Sequence, residues 1–255
     1  MGRLDQRLIA ITGAAQGIGL AIARDFASEG ADLLLLDIDR TALESAARDI
    51  RAANPERRID AEVCDIAVPE QVAGVFAEKG AFDGLVNNAG VNVFHDPLET
   101  SQAEWRRAFA INLEGAWACC RAVLPAMIER RHGVILNIAS THSFTIIPGT
   151  FPYPVVKHAL MGLTKSLGLE YASRGIRVNA IAPGYVATQK VLDWWDAAPD
   201  PAAAKVETMA LHPQGRIASP EEIARAAVFM ISDECPFMTA TCLTIDGGLS
   251  VRQHG

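Results

Sequence analysis

The sequence holds no apolar run approaching the roughly 20 residues that a membrane-spanning helix needs. Its most apolar short stretch, residues 33–36, has the length of a buried strand and no more. Aromatic residues make up only 6% of the chain, so its core has to be assembled from Ala, Val, Ile and Leu, the packing of helices on a parallel sheet. Cationic residues are outnumbered. With 23 Lys and Arg against 30 Asp and Glu, the formal net charge is −7, which argues against a surface that attracts nucleic acid or anionic lipid. The densest cationic cluster, Arg130, Arg131 and His132, stands just before Gly133 and reads as favourable charge at a helix C-terminus. Cysteine is sparse too. Cys64, Cys119, Cys120, Cys235 and Cys242 form no CxxC pair and no metal-ligand spacing with histidine, so no metal is expected and they read as buried thiols. Together with a first stretch that carries no apolar run after its charges, they predict a reducing, cytoplasmic setting.

What the sequence does contain is alternation. Short apolar runs at residues 8–12, 33–36, 61–64, 84–87, 134–138, 177–181 and 242–245 are separated by helix-length segments at 17–29, 41–53, 69–79, 103–130, 153–173 and 220–232, several opened by Thr, Ser or Pro. Strands joined through helices require right-handed crossovers, which predicts an α/β fold with a Rossmann-type, doubly wound parallel sheet of seven strands and helices on both faces. Open sheets of this kind run to 255 residues as one unit, so residues 1–255 are expected to form a single dinucleotide-binding and catalytic domain. Residues 185–216, with Trp194, Trp195 and three prolines, break the rhythm where a substrate lid could be inserted.

The loop at residues 12–19 follows the first strand and opens the first helix, the setting of a phosphate-binding turn. Gly13, Gly17 and Gly19 let the backbone turn tightly and let a pyrophosphate approach the helix N-terminus, where unpaired N–H groups favour negative charge. A glycine-rich turn without a ligand is the plainer explanation of such a loop taken alone. Asp37 argues against it, because it ends the second strand about 20 residues on, where a carboxylate can accept hydrogen bonds from ribose hydroxyls. The same carboxylate repels a 2′-phosphate. Neither Gln16 in the loop nor Ile38 after the aspartate is cationic, which predicts NAD rather than NADP; Arg40 is the residue that could weaken this.

Tyr153 and Lys157 stand four residues apart, one helical turn, so both side chains share a helix face. An ammonium beside the phenol would lower its pKa by favouring the phenolate. Without such help a tyrosine, with a pKa of about 10, is a poor base at pH 7. Upstream, Ser140 would hold the reacting oxygen. A lone tyrosine is usually packed core, a lone lysine usually solvated, and Asn112 by itself could cap or kink its helix; only their joint occurrence points to chemistry.

The Gly-x-x-x-Gly-x-Gly spacing of the loop resembles the short-chain dehydrogenase/reductase family, and the similarity runs in order along nearly the whole chain. Asn87-Asn88-Ala89-Gly90, Asn112, Ser140, Tyr153 with Lys157, Pro183-Gly184 and Ile245-Asp246-Gly247-Gly248 each match a motif of that family. The resemblance implies that Tyr153 is the general acid/base, that Lys157 lowers its pKa and binds the nicotinamide ribose, that Ser140 positions the substrate oxygen, and that Asn112 holds a water linking Lys157 to solvent. It also implies cofactor contacts from Gly13, Gln16, Gly17, Ile18, Gly19, Asp37, Ile38, Asp65, Ile66, Asn88 and Gly90, and from Pro183, Gly184, Val186 and Thr188 beside the nicotinamide. One departure is Pro154, in Tyr-Pro-Val-Val-Lys where small residues are usual. A first helical turn tolerates it, which would place Tyr153 at the helix entrance.

Ligands of such sheets bind beyond the strand C-termini, which nominates Asn92, His95, Ser140, Thr141, His142, Ser143, Thr150, Tyr153, Tyr185, Gln189 and Trp195 for the substrate pocket. Hydroxyl, amide and imidazole groups suit a polyhydroxylated substrate, and several of them could simply face water. The chain is similar to bacterial sugar dehydrogenases that oxidise aldoses such as L-fucose, L-galactose or L-arabinose at C1 to the lactone. A dehydrogenase of a secondary hydroxyl in a keto-deoxy sugar acid or polyol is a close competitor, and a 3-oxoacyl carrier reductase, which usually prefers NADP and offers a basic docking patch, a more distant one. A nucleotide-sensing binding protein on the same fold should have lost the Tyr153/Lys157 pair. Family resemblance and the small-residue faces of the segments at 97–130 and 153–173 make a homotetramer the expected assembly.

Overall fold

The computed structural model describes residues 2–252; residue 1 and residues 253–255 of the expected unit lie outside them. In chain order the strands are β1 (Leu8–Thr12), β2 (Asp32–Asp37), β3 (Ile59–Val63), β4 (Gly84–Asn87), β5 (Phe94–His95), β6 (Gly133–Ile138), β7 (Phe151–Pro152), β8 (Ile176–Pro183) and β9 (Cys242–Ile245). Seven of them form one parallel sheet in the order β3-β2-β1-β4-β6-β8-β9, a Rossmann-type α/β sheet. β5 and β7 make a separate two-stranded antiparallel ribbon.

Period-two alternation decides which layer each side chain enters. Helices α1 (Gly17–Ser28), α2 (Arg40–Ala53) and α9 (Pro220–Ile231) cover one face, and α3 (Pro69–Lys79), α5 (Gly115–Arg130) and α6 (Tyr153–Tyr171) the other. Along β2, Leu33 and Leu35 enter the first layer with Ile22 and Phe26 of α1, while Leu34 and Leu36 enter the second with Val72 and Phe76 of α3. Each leucine buried in this way contributes roughly 1.5–3 kcal/mol. Because both faces are covered, the strands read as unbroken apolar runs, and this made them legible in the sequence. Four of the five cysteines are buried and all are free thiols; Cys242 is only half-buried. Among the described residues no helix is long and apolar enough to cross a membrane.

Three features depart from the sequence reading. The expected single helix over 103–130 is α4 (Gln102–Phe109) and α5 joined by a π-helical turn, Ala110–Glu114. The supposedly irregular 185–216 segment contains α7 (Gln189–Asp196) and α8 (Pro201–Ala210). Asp200 caps α8 by accepting a hydrogen bond from the Ala203 N–H, with Pro201 in the first turn, so a helix-start signal was present beneath the proline content. The ribbon strands, at two residues each, are too short to carry a pattern.

The order reverses between β1 and β4, which opens a crevice at their C-terminal ends. A buried amide ladder stiffens the sheet just below it. Asn87 Nδ2 donates to Asn137 Oδ1 at 2.9 Å, Asn137 Nδ2 donates to Thr164 Oγ1 at 2.9 Å, and that hydroxyl donates to the Leu160 carbonyl at 2.8 Å. Asn137→Ala strips two buried groups of their partner and opens a void, with an expected loss of about 2–4 kcal/mol. A denaturant midpoint equal to the parent's would show the ladder to be dispensable.

Candidate active site

The crevice begins with the turn after β1. Gly13 and Gly17 adopt φ of +65° and +56°, and a Cβ on Gly19 would lie 2.1 Å from the Gly13 carbonyl oxygen, so the loop folds tightly onto the start of α1. Gln16, which precedes that helix, makes no side-chain capping bond, and no acidic residue occupies the first turn. The N–H groups there are free for an anion. β4 fixes the loop from the side: Thr12 Oγ1 accepts from the N–H groups of Asn88 (3.0 Å) and Ala89 (3.1 Å), and Asn88 Nδ2 donates to the carbonyls of Thr12 (3.1 Å) and Gly13 (2.9 Å). At the end of β2, Asp37 accepts from Ala15 N–H at 3.0 Å and Asp39 N–H at 3.1 Å, keeping lone pairs for a ligand.

These elements enclose a groove of about 370 Å³. Of the expected cofactor residues, Gly13, Gln16, Gly17, Ile18, Asp37, Ile38, Asp65, Ile66, Asn88, Gly90 and Thr188 line it. Pro183, Gly184, Val186, Tyr153 and Lys157 line an adjoining cleft of about 240 Å³, and Gly19 lies beneath the loop and lines neither. Groove and cleft share Ile18, Asn88, Gly90 and Thr188, so one runs into the other. A dinucleotide fits this shape and this set of donors, with its diphosphate at the glycine turn. Arg107 and Lys190 also line the groove, cations that sequence reasoning did not single out.

The expected catalytic residues meet in the cleft. Tyr153 opens α6, with Pro154 in the same turn, and Lys157 follows one turn on. Lys157 is 5% exposed; its Nζ donates to the Ile138 carbonyl at 2.8 Å and lies 5.5 Å from the centre of the Tyr153 ring. Burial pushes the Tyr153 phenol up to about 12, opposed by a hydrogen bond with Ser140. Burial likewise pulls Lys157 down to about 8. The expected lowering of the phenol by its cationic neighbour is therefore corrected for the ligand-free protein. A dry site penalises both charged forms, and the ammonium is committed to a carbonyl.

Ser140 Oγ accepts from the His142 backbone N–H at 3.1 Å, and Ser140 is nearly buried at the mouth of the 3₁₀ turn Thr141–Ser143. Asn112 sits in the π turn, where such bulges often mark functional sites. Its Oδ1 accepts from Val91 N–H at 3.1 Å, and its Nδ2 donates to the carbonyls of Val91 (3.1 Å) and Ala108 (3.0 Å). A Cβ on residue 90 would lie 2.8 Å from that Oδ1, which is why the close approach needs glycine.

Asn92, Thr141, His142, Thr150 and Tyr185 line the cleft with Ser140 and Tyr153. Four other nominated residues do not. His95 pairs with Glu104 at 2.9 Å, the buried Ser143 hydroxyl donates to the Lys157 carbonyl at 3.0 Å, exposed Gln189 donates to Asp193 at 2.8 Å, and buried Trp195 on α7 donates through Nε1 to Thr208 of α8 at 3.1 Å. Phe94 lines the cleft instead, its ring edge-on to Tyr153 at 5.4 Å. Alternation from Asn92 would have found it, since residues two apart in an extended segment share a side; the sequence reading preferred His95 for its polarity.

Residues 13–250 match a family described as Enoyl-(Acyl carrier protein) reductase. Over 252 residues the chain is 40% identical to galactitol 2-dehydrogenase (L-tagatose-forming) of Cereibacter sphaeroides, covering 98% of this chain and 97% of that protein. It is 36% identical to D-threitol dehydrogenase of Mycolicibacterium smegmatis, covering 98% and 95%. Among solved structures, L-sorbose reductase of Gluconobacter frateurii in complex with NADPH and L-sorbose superposes with a TM-score of 0.93 at 31% identity, covering 99% of each chain.

Lys157 titrates at about 8 when folded against 10.5 when unfolded, so between these values the unfolded chain binds more protons. Its contribution to stability rises with pH through that window and is lost as pH falls through 8; Tyr153, raised from 10 to about 12, acts in the opposite sense only above pH 10. Lys157→Met should flatten the rise between pH 8 and 10 in unfolding curves of the ligand-free protein. An undiminished rise in the variant would assign it to other groups.

Proposed function

The chain belongs to the short-chain dehydrogenase/reductase family, and we propose that it transfers hydride between a sugar-like alcohol and NAD. In this reading Tyr153 takes the proton from the substrate hydroxyl, Ser140 holds that oxygen, and Lys157 binds the nicotinamide ribose with the ammonium hydrogens left over from Ile138. Asn112 supports the proton path behind Lys157. A bound nicotinamide cofactor would supply the hydride acceptor. The observation that carries the reading is the meeting of the nucleotide groove with the Ser140–Tyr153–Lys157 cleft.

Two sugar readings share this cleft. Oxidation of a secondary hydroxyl of a polyol to a ketose is supported by the relatives, a galactitol and a threitol dehydrogenase and a sorbose reductase. Oxidation of an aldose at C1 uses the same groups and is separated from it by its product, a lactone. An acyl-carrier reductase would want a more apolar lining than Asn92, Thr141, His142 and Thr150 provide. NAD is favoured over NADP by the Asp37 carboxylate on the groove wall and by Arg40, which pairs with Glu44 at 3.6 Å and does not line the groove. NADPH in the sorbose reductase complex makes the cofactor the point most in need of measurement. Residues 185–216 serve as the substrate lid, since Tyr185 and Val191 line the cleft. A cytoplasmic homotetramer is the working assembly, supported by free thiols and by exposed Trp117 on α5 and Leu169 on α6.

Screening aldoses, polyols and sugar acids for NADH formation, with product identification, tests the substrate; no turnover of any polyol or sugar would refute the reading. Tyr153→Phe should lower kcat by about 10²- to 10⁴-fold while NADH still binds, and retained turnover would remove Tyr153 as the base. kcat/KM with NAD should exceed that with NADP by about 10²-fold, a gap that Asp37→Ala narrows. Equal use of both cofactors by the parent enzyme would reject the NAD assignment.

A further inference from the structure

His142 has no role in holding the fold that its ring can account for. Its Nδ1 is buried without a completed hydrogen bond among the described residues, a situation that folded proteins rarely leave unexplained. The backbone of Thr145 lies near the ring, yet burial outweighs it and pulls the imidazole below its ordinary value, which favours the neutral ring. Aromatic neighbours fix its orientation: the Tyr153 ring stands edge-on to it at 5.6 Å and 84°, and the Phe94 ring lies 6.5 Å away. Its own backbone N–H is bonded to Ser140 Oγ, the hydroxyl that faces the Tyr153 phenol. The imidazole is thereby held one side chain away from the point where a substrate oxygen would sit.

Resting on the sugar-alcohol reading above, we infer that His142 recognises a second hydroxyl, on the carbon next to the one that is oxidised, so that the cleft selects vicinal diols. Hydroxyl oxygens on adjacent carbons lie within hydrogen-bonding distance of each other. A substrate oxygen bound between Ser140 and Tyr153 therefore brings its neighbour toward the next polar group along the wall, which is His142. A neutral imidazole has one nitrogen that donates and one that accepts, and either partner suits an alcohol. The exposed ring of Phe94 would leave the C–H face of the same substrate against an apolar surface. A site built to hydrogen-bond a hydroxyl rejects the analogue that lacks it, because its polar group is then left unpaired.

Initial rates with NAD on two matched small substrates, 2,3-butanediol and 2-butanol, test this in the purified enzyme. Parent kcat/KM for the diol should exceed that for the mono-ol by about 10²-fold or more. His142→Ala should shrink that ratio by about tenfold or more, and His142→Asn, which keeps a donor and an acceptor, should restore part of it. A ratio that His142→Ala leaves unchanged, whether both rates fall together or neither moves, overturns the inference and leaves the dehydrogenase reading intact. A parent enzyme that oxidises simple alcohols with NAD but neither diols nor sugars overturns the sugar-alcohol reading and the inference with it.

Discussion

Four hydrogen bonds between the ends of β1 and β4 hold the site together. They cross the point where the strand order reverses: the Thr12 hydroxyl accepts from the N–H groups of Asn88 and Ala89, and the Asn88 amide donates to the carbonyls of Thr12 and Gly13. Each alone contributes only about 0.5–1.5 kcal/mol. Their effect is geometric, because they pin the glycine turn to a strand whose next residues lead to Gly90 and thence to Asn112. The groove and the Ser140–Tyr153–Lys157 cleft in this way adjoin one braced corner.

Around that corner the controlling energy is desolvation. Tyr153 and Lys157 titrate away from charge in opposite directions, up to about 12 and down to about 8, and for each the first cause is the same. The ligand-free site thus stores no ion pair. Charge separation becomes affordable only where another charge or a strong donor enters, and the joining of groove to cleft supplies the place for one. The hydrogen bond from Ser140 already favours the phenolate.

Much of this was legible in the sequence, and for a physical reason. Covered strands are apolar throughout, and β1, β4 and β9 begin and end where the apolar runs at 8–12, 84–87 and 242–245 do. The glycine loop, Asp37 and the four-residue spacing of Tyr153 and Lys157 are local patterns fixed by backbone geometry. What sequence reasoning missed depends on neighbours. The π turn at Asn112 arises where Gly90 packs against the helix, a contact 22 residues away that leaves no local mark. Trp195 is buried because α8 folds back to offer Thr208, and α8 was hidden by its prolines. The direction of the Tyr153 shift needed burial, which spacing cannot reveal.

The same contrast bears on which polar residues matter in the cleft. Polarity alone nominated His95, Ser143 and Gln189, yet each is engaged with the protein itself, with Glu104, the Lys157 carbonyl and Asp193. A polar side chain whose hydrogen bonds are made has little left to offer a ligand, whereas one held by packing with bonds unmade is available to it. His142 meets that description, braced by Phe94 and Tyr153, with its buried Nδ1 lacking a hydrogen-bond partner among the described residues. A pocket of about 240 Å³ then carries both an apolar wall, at Phe94, and a polar wall, at Thr141 and His142. A flat hydrocarbon chain would satisfy only the first of these walls, and a compact hydroxylated molecule satisfies both, because its C–H and O–H groups project to different sides of the same carbon chain.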